Sequence, residues 1–84
     1  MKKLLKFYAD WCGPCKQQSK FLDNLSIPVE SIDVEDGANE SLIEKYGIRN
    51  LPTLIIIDKD GNELKRFAGL TKKDVIENYL QNNE

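Results

Sequence analysis

The order of apolar segments in this chain predicts an α/β domain with the element order β-α-β-α-β-β-α and a four-stranded mixed sheet. Three observations lead to this fold class. A strand-like segment, a helix-like segment and a second strand-like segment open the chain, which is typical of a parallel crossover. Residues 53–57 are apolar on both faces, which indicates a central strand covered by helices. The Asp60-Gly61 pair then favours a hairpin, so the last two strands are antiparallel.

The first half of the chain supplies two of the strands and the first helix. Residues 4–8 predict the first strand, and a helix is predicted from residue 12 or 13 to about residue 25. Residues 27–34 predict the second strand. The apolar residues expected to be buried here are Phe21, Leu22 and Leu25 in the helix and Ile27, Val29, Ile32 and Val34 in the strand.

The second half adds a short helix, a hairpin and a final helix. The short helix is predicted from residue 39 or 40 to Tyr46, where Gly47 supplies a left-handed cap. After the central strand, residues 63–68 predict an edge strand, which its charged side chains Lys65 and Arg66 protect. Thr71 and Asp74 resemble a capping box for the final helix. That helix is expected to bury Val75, Ile76 and Leu80.

Composition limits the classes of protein that this chain can be. Its 84 residues predict one domain over residues 1–84, with 40% hydrophobic and 31% charged residues. A net charge of -2 gives no broad field to attract nucleic acid or an anionic membrane. No apolar run approaches the roughly 18 residues of a membrane span. Lys6 and Asp10 interrupt the apolar start before a signal peptide could form, so we expect a cytoplasmic protein.

The sequence Cys12-Gly13-Pro14-Cys15 indicates the chemistry. It stands where the first strand passes into the first helix, and unpaired N–H groups at a helix N-terminus stabilise a thiolate. Only the thiolate attacks disulfides. A disulfide across so short a loop adds little as a structural crosslink, which favours thiol–disulfide exchange. A chain with two cysteines and no histidine lacks the four Cys or His ligands of a structural zinc site, so we expect no metal.

Three segments resemble the signature segments of thioredoxins, in the same order and at similar spacing. They are Trp11-Cys12-Gly13-Pro14-Cys15-Lys16, Tyr46-Gly47-Ile48-Arg49-Asn50-Leu51-Pro52-Thr53, and Gly69 ahead of the last helix. The resemblance covers nearly the whole chain and implies a minimal thioredoxin fold with strand order 2-1-3-4 and helices on both faces of the sheet. It implies a protein-disulfide reductase that uses a reversible Cys12–Cys15 disulfide and no cofactor. Its expected partners are protein disulfides and a thioredoxin reductase or similar electron donor, and it is expected to be a monomer.

The same resemblance assigns roles to individual residues. Cys12 is expected to be the exposed nucleophile and Cys15 the shielded resolving thiol. The Leu51-Pro52 bond is expected to be cis and to lie beside the disulfide. A flat apolar patch for the substrate chain is expected to comprise Trp11, Gly13, Pro14, Leu51, Pro52, Ala68 and Gly69.

Lys6 is the sharpest departure from the thioredoxin pattern, in which a buried aspartate stands six residues before the nucleophile. Strand alternation places Lys6 on the same face as Leu4 and Tyr8. Two interpretations remain open. The side chain extends to solvent, or its ammonium lies near the thiols and modulates their pKa by stabilising a thiolate.

Two other function classes are compatible with this topology. A glutaredoxin-like, glutathione-dependent oxidoreductase shares it, but that family usually has Cys-Pro-Tyr-Cys, a Thr-Val-Pro loop and paired glycines before the last helix. Gly13-Pro14, Asn50-Leu51-Pro52 and the single Gly69 fit thioredoxins better. The second class is a non-enzymatic subunit that binds a larger protein through its apolar patch.

Overall fold

The computed structural model describes residues 1–82 and contains four strands and three α-helices in the predicted order. Their bounds are β1 Lys3–Tyr8, α1 Gly13–Phe21, β2 Val29–Asp33, α2 Glu40–Tyr46, β3 Thr53–Ile57, β4 Glu63–Ala68 and α3 Lys73–Asn82. The strands form one mixed sheet in the order β2-β1-β3-β4. β1 pairs in parallel with β2 and antiparallel with β3, and β3 pairs antiparallel with β4. The predicted fold class and strand order are confirmed.

Two apolar cores lie on opposite faces of the sheet because successive strand residues point to opposite sides. On one face, Leu4 and Ile56 pack with Ile76 and Leu80 of α3. On the other face, β1 and β3 pack against α2, whose Tyr46 forms an edge-to-face pair with Phe7. Every residue of β3 is buried, as expected for a central strand that helices cover on both sides.

Helix α1 is shorter than the sequence predicts, ending at Phe21 instead of near residue 25. The Leu22 N–H already donates to the Ser19 carbonyl, which tightens the last turn. Asn24 then takes a left-handed φ of 57°, which ends the helical path. Leu22 is buried as predicted, whereas Phe21 and Leu25 are only half-buried.

Strand β2 is also shorter than predicted, because pairing with β1 begins at Val29. Pro28 before it has no N–H to donate, although its carbonyl accepts from the Leu4 N–H at 2.9 Å. Ile32 is buried as predicted, but Val29 is exposed, because β2 is an edge strand.

Both predicted glycine turns are present. Gly47 ends α2 in the left-handed conformation, with φ 59°. In the β3–β4 connection, Gly61 has φ 85°, and the Asp58 carboxylate accepts hydrogen bonds from the Asp60 and Asn62 N–H groups. These hydrogen bonds lower the pKa of Asp58. The hairpin joins β3 and β4 in the predicted antiparallel arrangement.

The start of α3 differs from the predicted capping box. The Thr71 hydroxyl donates backward to the Gly69 carbonyl at 3.0 Å, so it does not cap the helix, which begins at Lys73. Ile76 and Leu80 are buried as predicted, but Val75 is exposed. A helical period of 3.6 residues cannot place adjacent positions 75 and 76 both at the centre of one buried face.

Candidate active site

Cys12 occupies the N-cap position of α1, directly after the turn that follows β1. Its N–H donates to the Ala9 carbonyl at 3.1 Å, and Pro14, which needs no N–H partner, stands in the first helical turn. The Cys15 N–H donates to the Cys12 Sγ at 3.2 Å. The two cysteines form a disulfide, with their Cα atoms 5.3 Å apart. The strand-to-helix junction therefore holds the Cys12 sulfur at the positive end of the helix, with Cys15 bonded to it from inside the first turn.

The expected exposure of Cys12 is wrong for the disulfide form. Cys12 is 4% exposed and Cys15 is 1% exposed. Both cysteines are shielded because they bond to each other and pack with Ala9, Tyr8 and Leu51. The two cysteines therefore differ less in exposure than in hydrogen bonding.

The residues expected to form the substrate patch occupy different depths. Trp11 is 69% exposed, and Gly13, Pro14 and Ala68 are exposed as well. Leu51 is half-buried and packs against the cysteines, and the Leu51-Pro52 bond is cis as predicted. Three of the patch residues are adjacent to the cysteines in sequence: Trp11 precedes Cys12, and Gly13 and Pro14 lie between the two cysteines.

Pro52 differs from the rest of the expected patch because its side chain is fully buried. It lies immediately before strand β3, all of whose residues are also buried. The Pro52 carbonyl accepts a hydrogen bond from the Gly69 N–H at 2.8 Å, and Ala68 lies opposite Thr53 in the sheet. Pro52 thus bonds to Gly69 through its carbonyl without itself forming an apolar surface.

Lys6 does not extend to solvent, so that interpretation is wrong. The residue is 6% exposed, its Nζ donates to the Ser19 hydroxyl, and the Nζ lies 5.2 Å from the centre of the Tyr8 ring. Burial lowers the pKa of Lys6 from its ordinary value, because the charged ammonium loses hydration. Lys6 and Cys15 line one cavity of about 140 Å³. The ammonium therefore lies on the side of the site that Cys15 occupies.

Two polar residues of the site were missed by sequence reasoning. Gln18 is fully buried and makes paired hydrogen bonds to the backbone of Thr71, donating to its carbonyl at 2.7 Å and accepting from its N–H at 2.8 Å. Ser19 accepts from Lys6 and donates to the Cys15 carbonyl at 3.4 Å. Their spacings of three and four residues from Cys15 were the available signal, because such residues share a helix face.

The described part of the chain, residues 1–82, contains no group of three or more His, Cys, Asp or Glu residues that could hold a metal ion. Over the same residues, no helix combines the length and the apolar composition that a membrane crossing requires.

Several known proteins with similar sequences or structures are thioredoxins. The family model described as Thioredoxin matches residues 1–82. The chain is 35% identical over 82 residues to the thioredoxin of Chlamydia pneumoniae, covering 92% of this chain and 78% of that protein. It is 40% identical over 76 residues to the thioredoxin of Chlamydia caviae, covering 84% and 72%. A mutant thioredoxin from Halobacterium salinarum NRC-1 matches in structure with a TM-score of 0.84 at 33% identity, covering 96% of this chain and 73% of that one.

A disulfide at the N-terminus of a helix, reached directly from a central strand, defines a thiol–disulfide oxidoreductase. The family model that matches residues 1–82 gives a more specific assignment than this class. This chain belongs to the thioredoxin family, and the similarities do not favour the glutaredoxin-like alternative. Members of this family typically reduce protein disulfides and are themselves reduced by thioredoxin reductase.

Proposed function

We propose that Cys12 is the nucleophile and Cys15 the resolving thiol of a protein-disulfide reductase. One observation carries this assignment: the Cys15 N–H donates to the Cys12 Sγ at 3.2 Å at the helix N-terminus. After reduction, the same N–H and the positive end of the helix face a Cys12 thiolate and stabilise it. Cys15 lies inside the first turn, so its sulfur has no equivalent place at the helix end.

The reaction consists of two exchanges. The Cys12 thiolate attacks one sulfur of the substrate disulfide, forming a mixed disulfide and releasing the other substrate sulfur as a thiolate, which takes a proton from solvent. Cys15 then loses its proton, and its thiolate attacks the Cys12 Sγ. The Cys12–Cys15 bond forms as the bond to the substrate breaks. Two electrons have then passed to the substrate, and the disulfide described above has been regenerated.

The exposed residues around the sulfurs are proposed to contact the substrate chain. Their exposure supports this role for Trp11, Gly13, Pro14 and Ala68, and the packing of Leu51 against the cysteines supports it for Leu51. Gly69 is proposed to extend this contact surface. Its N–H donates a hydrogen bond to the carbonyl of the buried Pro52, which supports this placement. Large aromatic side chains such as Trp11 often supply contact area at interfaces.

The cellular setting is proposed from the same family relationship. We expect a thioredoxin reductase as electron donor, a monomeric protein consisting of one domain over residues 1–84, and a cytoplasmic location. The family membership supports the donor. The net charge of -2 supports the absence of nucleic-acid and membrane partners.

Insulin reduction by dithiothreitol tests the proposed function. The wild-type protein is expected to accelerate the reduction, and Cys12→Ser is expected to abolish that acceleration. Cys15→Ser is expected to accumulate a mixed disulfide on Cys12, because attack occurs without resolution. Turnover retained by both variants would contradict the exchange mechanism. Activity that required glutathione and was not supported by a thioredoxin reductase would instead identify a glutaredoxin-like enzyme.

A further inference from the structure

Lys6 is buried in a position that the reaction described above does not use. It lies in β1 between Ser31 of β2 and Leu54 of β3, so its side chain projects from a strand that has a neighbour on each side. An ammonium buried there loses hydration, and the hydrogen bond that it donates to the Ser19 hydroxyl is a weak replacement. A side chain that costs stability in this way calls for a functional explanation.

Ser19 anchors the Lys6 ammonium to the helix that carries the cysteines. The Lys6 Nζ donates to the Ser19 hydroxyl, and this hydroxyl donates to the Cys15 carbonyl at 3.4 Å. Ser19 stands four residues after Cys15, so both side chains lie on one face of α1, one turn apart. The ammonium is therefore fixed beside the resolving cysteine.

Two cavities meet at Lys6 and Ser19. One, of about 140 Å³, is lined also by Cys15. The other, of about 200 Å³, is lined also by Asp23 and Ser31. Each is large enough for water, whose share of liquid volume is about 30 Å³. The cavity that Cys15 lines therefore has room for a water molecule that can accept the Cys15 proton.

We propose that Lys6 is a positioning residue for the resolving step, whose ammonium stabilises the Cys15 thiolate across the shared cavity while the thiol proton leaves through water. This inference rests on the proposed roles of Cys12 and Cys15. In the mixed disulfide, the Cys15 S–H bond breaks and the proton passes to cavity water and then to solvent. The thiolate then attacks the Cys12 Sγ and displaces the substrate thiolate, so Lys6 keeps its charge and no co-reactant is needed.

The other charged or titratable groups around Lys6 are few within residues 1–82. From the β1–α1 turn, Asp10 lines the first cavity, and Tyr8 approaches from β1. From α1, Lys16 lines the first cavity and Asp23 the second. Cys12 lines neither cavity, so Cys15 is the cysteine that shares a cavity wall with Lys6.

Stopped-flow reaction of the reduced protein with 5,5′-dithiobis(2-nitrobenzoate) separates the two steps. Attack by Cys12 releases one coloured thiolate, and resolution by Cys15 releases the second. For Lys6→Met we expect the ratio of the second rate to the first to fall about tenfold at pH 7, with the difference closing at high pH as Cys15 ionises unaided. Lys20→Met, which removes an exposed lysine from the same helix, is the matched control and should keep the wild-type ratio.

Lys6→Arg keeps the positive charge, so its ratio of the second rate to the first should be close to the wild-type ratio. An unchanged ratio in Lys6→Met, a fall that does not depend on pH, or no restoration by Lys6→Arg would overturn the inference. Circular dichroism of each variant establishes that it is folded before the kinetics are compared. If wild-type protein fails to reduce insulin, the proposed function itself fails. If it succeeds while Lys6→Met resolves at the wild-type rate, only the role of Lys6 is wrong.

Discussion

At the scale of single residues, one hydrogen bond distinguishes the surroundings of the two cysteine sulfurs. Cys12 Sγ accepts the Cys15 N–H at the end of the helix, while Cys15 faces the cavity that Lys6 lines. The motif alone predicts that two sulfurs react. Their different surroundings depend on Lys6 and Ser19, which local sequence patterns do not bring together because β1 must first pack against α1.

Alkylation of the reduced protein tests this difference directly. Limiting iodoacetamide near neutral pH is expected to label Cys12 before Cys15, because the helix N-terminus favours the Cys12 thiolate. Peptide mapping by mass spectrometry identifies the labelled sulfur. Reduced protein unfolded in urea is the control and should label both cysteines to similar extents. Preferential labelling of Cys15 in the folded protein would reverse the role assignment.

The buried ammonium of Lys6 should appear in the stability of the protein as a function of pH. Because burial lowers the pKa of Lys6 in the folded protein, unfolding takes up a proton at pH values between the folded pKa and 10.5. Wild-type stability therefore gains from increasing pH in that range, a gain that Lys6→Met lacks. We expect Lys6→Met to be more stable by on the order of 1 kcal/mol at pH 7. The advantage should shrink as the pH approaches 10.5.

Urea unfolding of both proteins at neutral and alkaline pH measures this difference. Lys20→Met, an exposed substitution in the same helix, corrects for general charge effects. A stability difference that stays constant across the pH range would show that Lys6 carries no desolvation cost in the folded state.

At the scale of elements, the sequence predicts the type and order of every strand and α-helix, because apolar period and turn residues are local signals. The ends are predicted less well. Helix α1 ends early through a turn at Leu22 and Asn24, and α3 begins after Thr71 has bonded to Gly69. These ends depend on backbone hydrogen bonds that compete with the helical pattern.

Gln18 connects two elements that are distant in sequence, and its removal should be costly. Gln18→Ala leaves the Thr71 N–H and carbonyl without their partners, so we expect a loss of about 2 kcal/mol in the free energy of unfolding. Gln17→Ala, the exposed neighbour on the same helix, should change it by less than about 0.5 kcal/mol. Urea unfolding monitored by circular dichroism compares the two. Equal effects would mean that the paired hydrogen bonds contribute nothing specific.

At the scale of the whole molecule, the strand alternation of β1 and β3 divides the apolar residues between two cores. The apolar run of β3 also identifies the centre of the sheet from sequence. The cavity beside Cys15 could not be predicted in this way. It forms where β1, α1 and the turn between them leave a gap, and such a gap depends on side-chain shapes in three dimensions.

The disulfide should stabilise the fold by an amount at the low end of what disulfides typically contribute. Because it closes a loop of only four residues, the chain-entropy estimate is about 2 kcal/mol in favour of the oxidised form. By the thermodynamic cycle that links folding to reduction, this corresponds to about 40 mV between the folded and unfolded couples. Urea unfolding of oxidised and dithiothreitol-reduced protein measures the difference, with the Cys12→Ser, Cys15→Ser double variant as a control that reductant leaves unaffected. A gap above about 4 kcal/mol would assign the disulfide a structural role.

The shielding of both sulfurs also restricts the direction from which a partner can reach them. With Cys12 only 4% exposed, a thiolate that reduces the disulfide meets it over a narrow range of angles, and the groups attached to that thiolate must clear the surrounding residues. A thiol on an extended, loosely held segment can adopt such an approach. A thiol recessed inside a rigid domain collides with the surrounding residues first. The rate at which the oxidised protein is reduced therefore depends on how its electron donor presents the attacking thiol, and exposed thiols are selected over recessed ones by steric access.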